Sequence, residues 1–418
     1  MLALLRSPRE IMFGPGMCAA LPWVAAREGS KALLVVDQHL ANSDELNEML
    51  HQLEKAGVET AVWAEVTPEL PSELAIRATD FARDLDRDLV ITVGGGSCID
   101  LGKVVATMLR HGGTPSDYYG EFRVPGPNVP LIAVPTTAGT GSEATPVAVV
   151  TDSDLGTKVG ISSPELIPVV AICDPELTYS CPPSVTASAG ADALAHCIES
   201  YTARSRTGDA DLARERVFVG RSALTDSLAL EGIAAIVEGL PIAYADPLNA
   251  RARSQSMYGS LLAGMAFGTA GTAAAHALQY PIGAETSTPH GVGVGCLLPY
   301  VMAFNRSERV EEMARIARVF GAEGDDDALS RRAPRLVADF LAGIGIPRTL
   351  GEMGVARERA GAIAASGLRA VRLSENNPRV LTIESASRLV EAAIDGDLDS
   401  LMGDAPLAAP VATMKETS

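Results

Sequence analysis

The stretch Asp88-Leu89-Val90-Ile91-Thr92-Val93-Gly94-Gly95-Gly96-Ser97 runs a mainly apolar segment straight into three glycines and a serine. Apolar residues at helical spacing follow over about 100–110, so the pattern reads as strand, tight turn and helix. Upstream, Lys31–Val36 is a second strand ending at Asp37, 43–56 a helix stopped by Gly57, 58–63 a strand and 72–84 a helix. Downstream, 130–134 is a further short strand. This alternation predicts an α/β domain with a mainly parallel sheet and helices on both faces.

Beyond Pro175, Pro182 and Pro183 the strand signals vanish. Helical periodicity takes over at 186–202, 225–238, 250–278, 307–320, 333–344 and 382–393. The expected organisation is an α/β domain over 1–183, an all-helical domain over 184–403 and a flexible Ala/Pro-rich tail over 404–418.

With 418 residues, 47% apolar and 21% charged, the chain has ample material for a large core. Asp and Glu number 52 against 34 Lys and Arg, a formal charge of −18. Such a surface repels phosphate backbones, which argues against nucleic acid as a partner. Six scattered cysteines without a Cys-x-x-Cys pair suit reduced thiols in the cytoplasm. Residues 254–284 contain no charge, yet they are mostly small and include His276, Gln279 and Pro281. They read as a buried core helix rather than a membrane span.

Glycines between a strand and a helix N-terminus let backbone N–H groups approach a phosphate. A glycine triplet also serves ordinary turns, but two features favour a nucleotide. Asp37 ends an earlier strand of the same sheet, where its carboxylate can accept hydrogen bonds from a ribose and repel the extra phosphate of NADP. The loop Pro135-Thr136-Thr137-Ala138-Gly139-Thr140-Gly141-Ser142-Glu143 offers hydroxyls at the same carboxyl edge of the sheet.

Four residues in the second half suit a cation. Asp192 and His196 stand four apart and share one helix face. His276 lies among alanines, and His290 follows in Thr288-Pro289-His290-Gly291. A carboxylate buried in an apolar helical domain is costly unless it is paired, and a divalent ion is a natural partner. One carboxylate and three imidazoles suit iron(II) and zinc alike. They can leave a position open for a substrate oxygen. His39, His51 and His111 have ordinary contexts. Gly264, Met265 and Phe267 read first as helix-packing core and second as substrate neighbours.

With these motifs the chain resembles the iron-containing (group III) alcohol dehydrogenases. The resemblance rests on Gly94-Gly95-Gly96-Ser97-x-x-Asp100-x-x-Lys103, Pro135 to Thr140, Asp174-Pro175-Glu176-Leu177, Gly190 to His196, and the His276/His290 pair. It implies the dehydroquinate synthase-like fold, with a dinucleotide-binding domain, a helical metal-binding domain and a cleft between them. It implies Asp192, His196, His276 and His290 as metal ligands, with Fe2+ or Zn2+ as the ion. It implies NAD contacts at Asp37, Gly95, Gly96, Ser97, Asp100, Thr136, Thr137, Lys158 and Leu177. The expected activity is hydride transfer between NAD(H) and a small alcohol/aldehyde pair, in a homodimer or larger homo-oligomer. Alternatives are a hydroxyacid–oxoacid transhydrogenase, a maleylacetate-type reductase or a dehydroquinate synthase-like lyase. Three departures stand out. Tyr280 replaces a histidine that many relatives carry and that is often assigned to proton transfer; Tyr280 is the remaining catalytic candidate. The segment 204–223 is longer than usual, and the C-terminal tail extends further.

Overall fold

The computed structural model describes residues 3–206, 208 and 210–403. The expected tail, 404–418, lies outside the described residues. The first half contains strands β1 (Glu10–Phe13), β2 (Lys31–Val36), β3 (Glu59–Trp63), β4 (Leu89–Gly94), β5 (Gly120–Glu121), β6 (Leu131–Pro135), β7 (Val147–Asp152), β8 (Thr157–Ser162) and β9 (Val170–Cys173). Helices α1 (Leu21–Glu28), α2 (Asp44–Lys55), α3 (Ser72–Asp84) and α4 (Gly96–His111) are interleaved with them. Six strands form one parallel sheet in the order β1-β9-β6-β4-β2-β3. β4 is buried along its whole length, because helices cover both of its faces.

Strand order reverses around β4, which pairs with β2 on one side and β6 on the other. The loops after β2, β4 and β6 therefore meet at one carboxyl edge, the usual ligand position in open α/β sheets. Helix α4 begins at Gly96 rather than near Asp100, so the glycine turn is itself the helix N-terminus. A small second sheet, β5-β8-β7, was not legible in the strand–helix alternation; its core is the antiparallel β7–β8 hairpin.

The described strands all precede residue 174; the rest is helical. It comprises α5 (Pro183–Thr202), α6 (Leu212–Glu215), α7 (Ala223–Ala245), α8 (Ala250–Ala270), α9 (Ala274–Thr286), α10 (His290–Asn305), α11 (Val310–Val319), α12 (Asp326–Gly343), α13 (Ala360–Gly367), α14 (Val371–Asn376) and α15 (Ile383–Asp395). Helix α7 is long and apolar enough to cross a membrane, and so is the α8–α9 pair taken together. In the fold α7 packs against α5 and α8, and its buried face joins the large helical core.

One sequence expectation is corrected. Residues 250–278 do not form one helix: α8 ends at Ala270, and α9 leaves at 104° to it. Gly271 takes φ +82°, which terminates α8 in a backbone conformation that L side chains rarely adopt. The Asn376 amide donates to the carbonyls of Ala270 (3.0 Å) and Thr272 (3.1 Å), so the broken segment keeps its backbone acceptors satisfied.

The two halves meet where glycine allows backbone contact. A Cβ on Gly139 would stand 2.8 Å from the Cα of Ala189 in α5. A Cβ on Gly141 would stand 2.4 Å from the Cα of Gly264 in α8. The Thr/Gly loop of the sheet is thereby wedged between two helices of the second half. Within 204–223, Ala213 and Val217 also link the halves. Val217 N–H donates to Glu121 Oε2 at 2.5 Å, and Arg6 donates to the carbonyls of Val217 and Ala213 at 2.5 and 2.8 Å.

Candidate active site

At the sheet edge, Asp37 lies directly after β2, and its Oδ2 accepts the Gly95 N–H at 2.7 Å. Burial raises its pKa, opposed by that N–H and by His39. Gly95 and Gly96 form the turn into α4. A Cβ on Gly96 would meet the Thr140 side chain at 2.5 Å, and one on Gly95 would meet Thr137 at 3.4 Å. Bare backbone here leaves a cradle beside a helix N-terminus, which fits the phosphates of a dinucleotide. Ser97 sits partly exposed in the first turn. The Thr136 N–H donates to the Gly94 carbonyl at 3.1 Å, and its buried hydroxyl has no hydrogen-bond partner among the described residues.

Three sequence-derived cofactor candidates sit differently. Asp100 uses both carboxylate oxygens internally: Oδ1 accepts the Ser142 hydroxyl at 2.6 Å and Oδ2 the Val149 N–H at 2.9 Å. Its place in the fold is to hold the Thr/Gly loop, together with Lys103. That lysine is fully buried and donates to Ser142, Thr145 and Val147. Lys158 on β8 pairs with Glu69 at 3.0 Å, and its charge also bears on His290. Leu177 packs on the apolar layer beneath the sheet.

In the helical half, Asp192 and His196 stand one turn apart on α5, both buried. His276 comes from the first turn of α9 and His290 is the first residue of α10. The break at Gly271 turns α9 so that His276 faces α5. Asp192 Oδ1 then lies 3.5 Å from His276 Nε2, 3.7 Å from His290 Nε2 and 3.8 Å from His196 Nε2. Ligand atoms of Asp192, His276 and His290 all fall within 4.8 Å of one another, a spacing that can hold one ion. His196 adjoins this trio through Asp192, its ring stacked on Phe267 (4.1 Å) and on His276 (4.6 Å).

Electrostatics at Asp192, His196 and His290 suit cation binding, whereas His276 must give up a proton to ligate. Burial opposes the Asp192 charge, yet the surrounding imidazoles hold its pKa well below the usual carboxylate range. Burial pushes His196 down to about 4 and His290 down to about 3, so both are neutral and free to ligate at neutral pH. Among the described residues, Asp192 Oδ1 and His276 Nε2 are buried without a hydrogen-bond partner. Two orphaned buried polar atoms facing one another are costly unless something lies between them, and an ion satisfies both.

Sequence reasoning missed Glu199. It lies seven residues after Asp192 and three after His196, on the same face of α5. Its Oε2 stands 2.6 Å from His276 Nδ1 and accepts the Ala273 N–H at 2.9 Å, while Oε1 accepts the Ala275 N–H at 2.6 Å. The repeat at i, i+4, i+7 was the available signal. Burial pulls His276 down, but Glu199 and Asp192 together raise it to about 9. Tyr280, one turn beyond His276, sets its ring 6.4 Å from that of His290, at 27°. Burial raises its phenol pKa, so it stays protonated at neutral pH.

This geometry has counterparts. The first half, residues 8–175, matches the iron-containing alcohol dehydrogenase family model, and residues 186–394 match the model of that family's C-terminal region. The chain belongs to the iron-containing alcohol dehydrogenases. It is 35% identical over 379 residues to long-chain-alcohol dehydrogenase 1 of Geobacillus thermodenitrificans, covering 89% of this chain and 92% of that one. It is 31% identical over 367 residues to the NAD-dependent methanol dehydrogenase of Bacillus methanolicus, covering 87% and 92%. A solved structure of 1,3-propanediol oxidoreductase superposes with a TM-score of 0.88 at 30% identity, covering 94% of this chain and all of that one. Like the family, this dehydrogenase is an NAD(H)-linked, iron-type oxidoreductase acting on an alcohol/aldehyde pair.

Proposed function

We propose that Asp192, His196, His276 and His290 hold the metal of this alcohol dehydrogenase, and that its cofactor lies along Asp37, Gly95, Gly96, Ser97, Thr136, Thr137, Lys158 and Leu177. The observation that carries the reading is the Asp192 oxygen facing three imidazole nitrogens at 3.5–3.8 Å. A divalent cation there, Fe2+ or Zn2+, supplies electrophilic polarisation of the substrate oxygen, and the nicotinamide supplies or accepts the hydride.

The protein's own part is positioning and proton control. Glu199 accepts a hydrogen bond from His276 Nδ1–H, which leaves Nε2 as the atom that would face a bound cation once its own proton is displaced. Phe267 stacks on His196 and fixes its ring plane. Tyr280 keeps its proton and so acts as a hydrogen-bond donor at the substrate side; a neutral phenol is a weak base at this pH. Asp37 offers a carboxylate for the ribose hydroxyls, and its charge disfavours a 2′-phosphate.

We place the division between the nucleotide domain and the metal domain near residue 184, in the gap between the two matched regions. Six free cysteines support a reducing, cytoplasmic setting. A homodimer is the expected assembly, checked by sedimentation. The central test is direct. Purified protein loaded with Fe2+ or Zn2+ is assayed with NAD+ or NADH against primary alcohols and aldehydes, alongside elemental analysis. No change in NADH absorbance with any of them would defeat the proposal.

A further inference from the structure

Helix α9 reaches the Asp192 cluster only because the chain turns by 104° between Ala270 and Ala274. His276 stands five residues past Gly271, so the direction in which α9 leaves this corner decides where its imidazole points. The corner is buried: Ala270, Thr272 and Ala273 are each 5% exposed or less. Its backbone groups therefore need partners from the protein rather than from water.

Two side chains from different helices supply those partners, one to each side of the turn. Glu199 of α5 accepts the N–H groups of Ala273 and Ala275, at 2.9 and 2.6 Å. Asn376, the last residue of α14, donates from Nδ2 to the carbonyls of Ala270 and Thr272, at 3.0 and 3.1 Å. Both acceptors are carbonyl oxygens, so the amide must present its NH2 group, and a side chain that only accepts cannot replace it. Asn376 is 3% exposed, and its own main-chain carbonyl accepts the Arg204 N–H at 2.9 Å, two residues after the end of α5. A Cβ on Gly271 would stand 3.0 Å from Asn376 Nδ2, so the bare glycine lets the amide close on the corner. Asn376 thus spans from the exit of α5, the helix of Asp192 and His196, to the turn that aims His276.

We propose that Asn376 is a positioning residue of the metal site: through the corner it sets the angle at which α9 presents His276 to Asp192. This rests on the Asp192 cluster being the metal site. Glu199 holds the N–H side of the turn and, at 2.6 Å, the imidazole itself. A carboxylate cannot serve the carbonyls of Ala270 and Thr272, so the other side of the turn is held by Asn376. A peptide that rotates there re-aims the helix that follows. Ligand atoms must fall within about 0.2 Å of their coordination distances, so even a small re-aiming of α9 is felt at the ion.

The test compares Asn376→Ala, Asn376→Asp and the milder Asn376→Ser, which keeps one donor, with Asn305→Ala. Asn305 is an equally buried amide whose two 2.8 Å hydrogen bonds go to Asn377 rather than to the corner. Its loss reports the cost of breaking a buried amide pair without re-aiming α9. Zn2+ affinity by chelator competition and the visible spectrum of the Co2+ form report ligand geometry without turnover. In metal-free protein, the downfield proton of the His276–Glu199 hydrogen bond, identified by its loss in His276→Gln, reports the same geometry without an ion. The expected result is a lower Tm in every variant. Only the Asn376 variants weaken Zn2+ binding, by about tenfold for alanine, change the Co2+ bands and shift the His276 proton. Aspartate, close in shape to asparagine but without the NH2 group, does at least as much as alanine, and serine falls between alanine and wild type. If wild type binds Zn2+ but the Co2+ bands and the His276 proton stay unchanged in the Asn376 variants, or move as far in Asn305→Ala, the positioning role is refuted and the metal reading stands. If wild type binds no cation while the His276 proton moves with Asn376 alone, the positioning role stands and the reading of the metal cluster fails.

Discussion

His276 Nδ1 and Glu199 Oε2 lie 2.6 Å apart in the protein interior, and the same carboxylate accepts the N–H groups of Ala273 and Ala275. One buried acid thus caps the start of α9 and orients the imidazole that α9 presents to Asp192. Metal-binding histidines gain basicity and a fixed tautomer from such a partner.

Glu199→Gln should retain the fold and lower metal affinity by ten- to hundredfold. Competition titration with a chromogenic chelator measures it. Unaltered affinity, with only a lower Tm, would leave Glu199 a helix cap and nothing more.

Asp37→Gly should relax the preference for NAD+ over NADP+ by about tenfold or more, since the repelling carboxylate is gone. It should also cost about 1 kcal/mol of stability, because the Gly95 N–H loses its acceptor. The ratio of kcat/KM for the two coenzymes checks the first part. An unmoved ratio removes Asp37 from coenzyme choice.

Gly264→Ala would set a Cβ 2.5 Å from the Gly141 carbonyl oxygen and 2.8 Å from its Cα. Backbone on both sides gives little room, so the Thr/Gly loop must shift away from α8. The expected cost is about 1–3 kcal/mol in urea unfolding, with NADH binding weakened several-fold in a fluorescence titration. Lost stability with intact NADH binding would sever the proposed link between this contact and the cofactor loop.

Glu143 lies buried in the same loop, and burial raises its pKa from 4.5 to about 7, only partly opposed by its own N–H and by Lys103. Between those values the folded protein holds a proton that the unfolded chain has released. Unfolding free energy therefore falls as pH rises from about 4.5 to 7, by an amount of order 3 kcal/mol. Urea midpoints at pH 5 and pH 7.5 should show that fall in wild type and a much flatter profile in Glu143→Gln. Equal slopes in both proteins would show that Glu143 does not titrate in this window.

Much of the nucleotide edge was legible without coordinates. Asp37, the 94–97 turn and the 135–143 loop each follow a strand, and parallel strands align their carboxyl ends. The motif position of Asp100 says nothing about which neighbour satisfies its oxygens; Ser142 and Val149 do so in the fold. The hairpin β7–β8 escaped notice because two short strands with a tight turn interrupt, rather than continue, the strand–helix rhythm.

What the linear chain determined for itself is whatever depends on neighbours a few residues apart: the parallel sheet, the glycine turn at a helix start, and Asp192 with His196 on one face of α5. These follow from strand and helix periodicity, which local backbone geometry imposes. The tertiary structure alone decided the break at Gly271, the meeting of Glu199 with His276 across 77 positions, and the placing of Arg372 over Phe218. Contacts between distant residues are set by how helices pack and where their ends are capped, and no spacing along the chain encodes that.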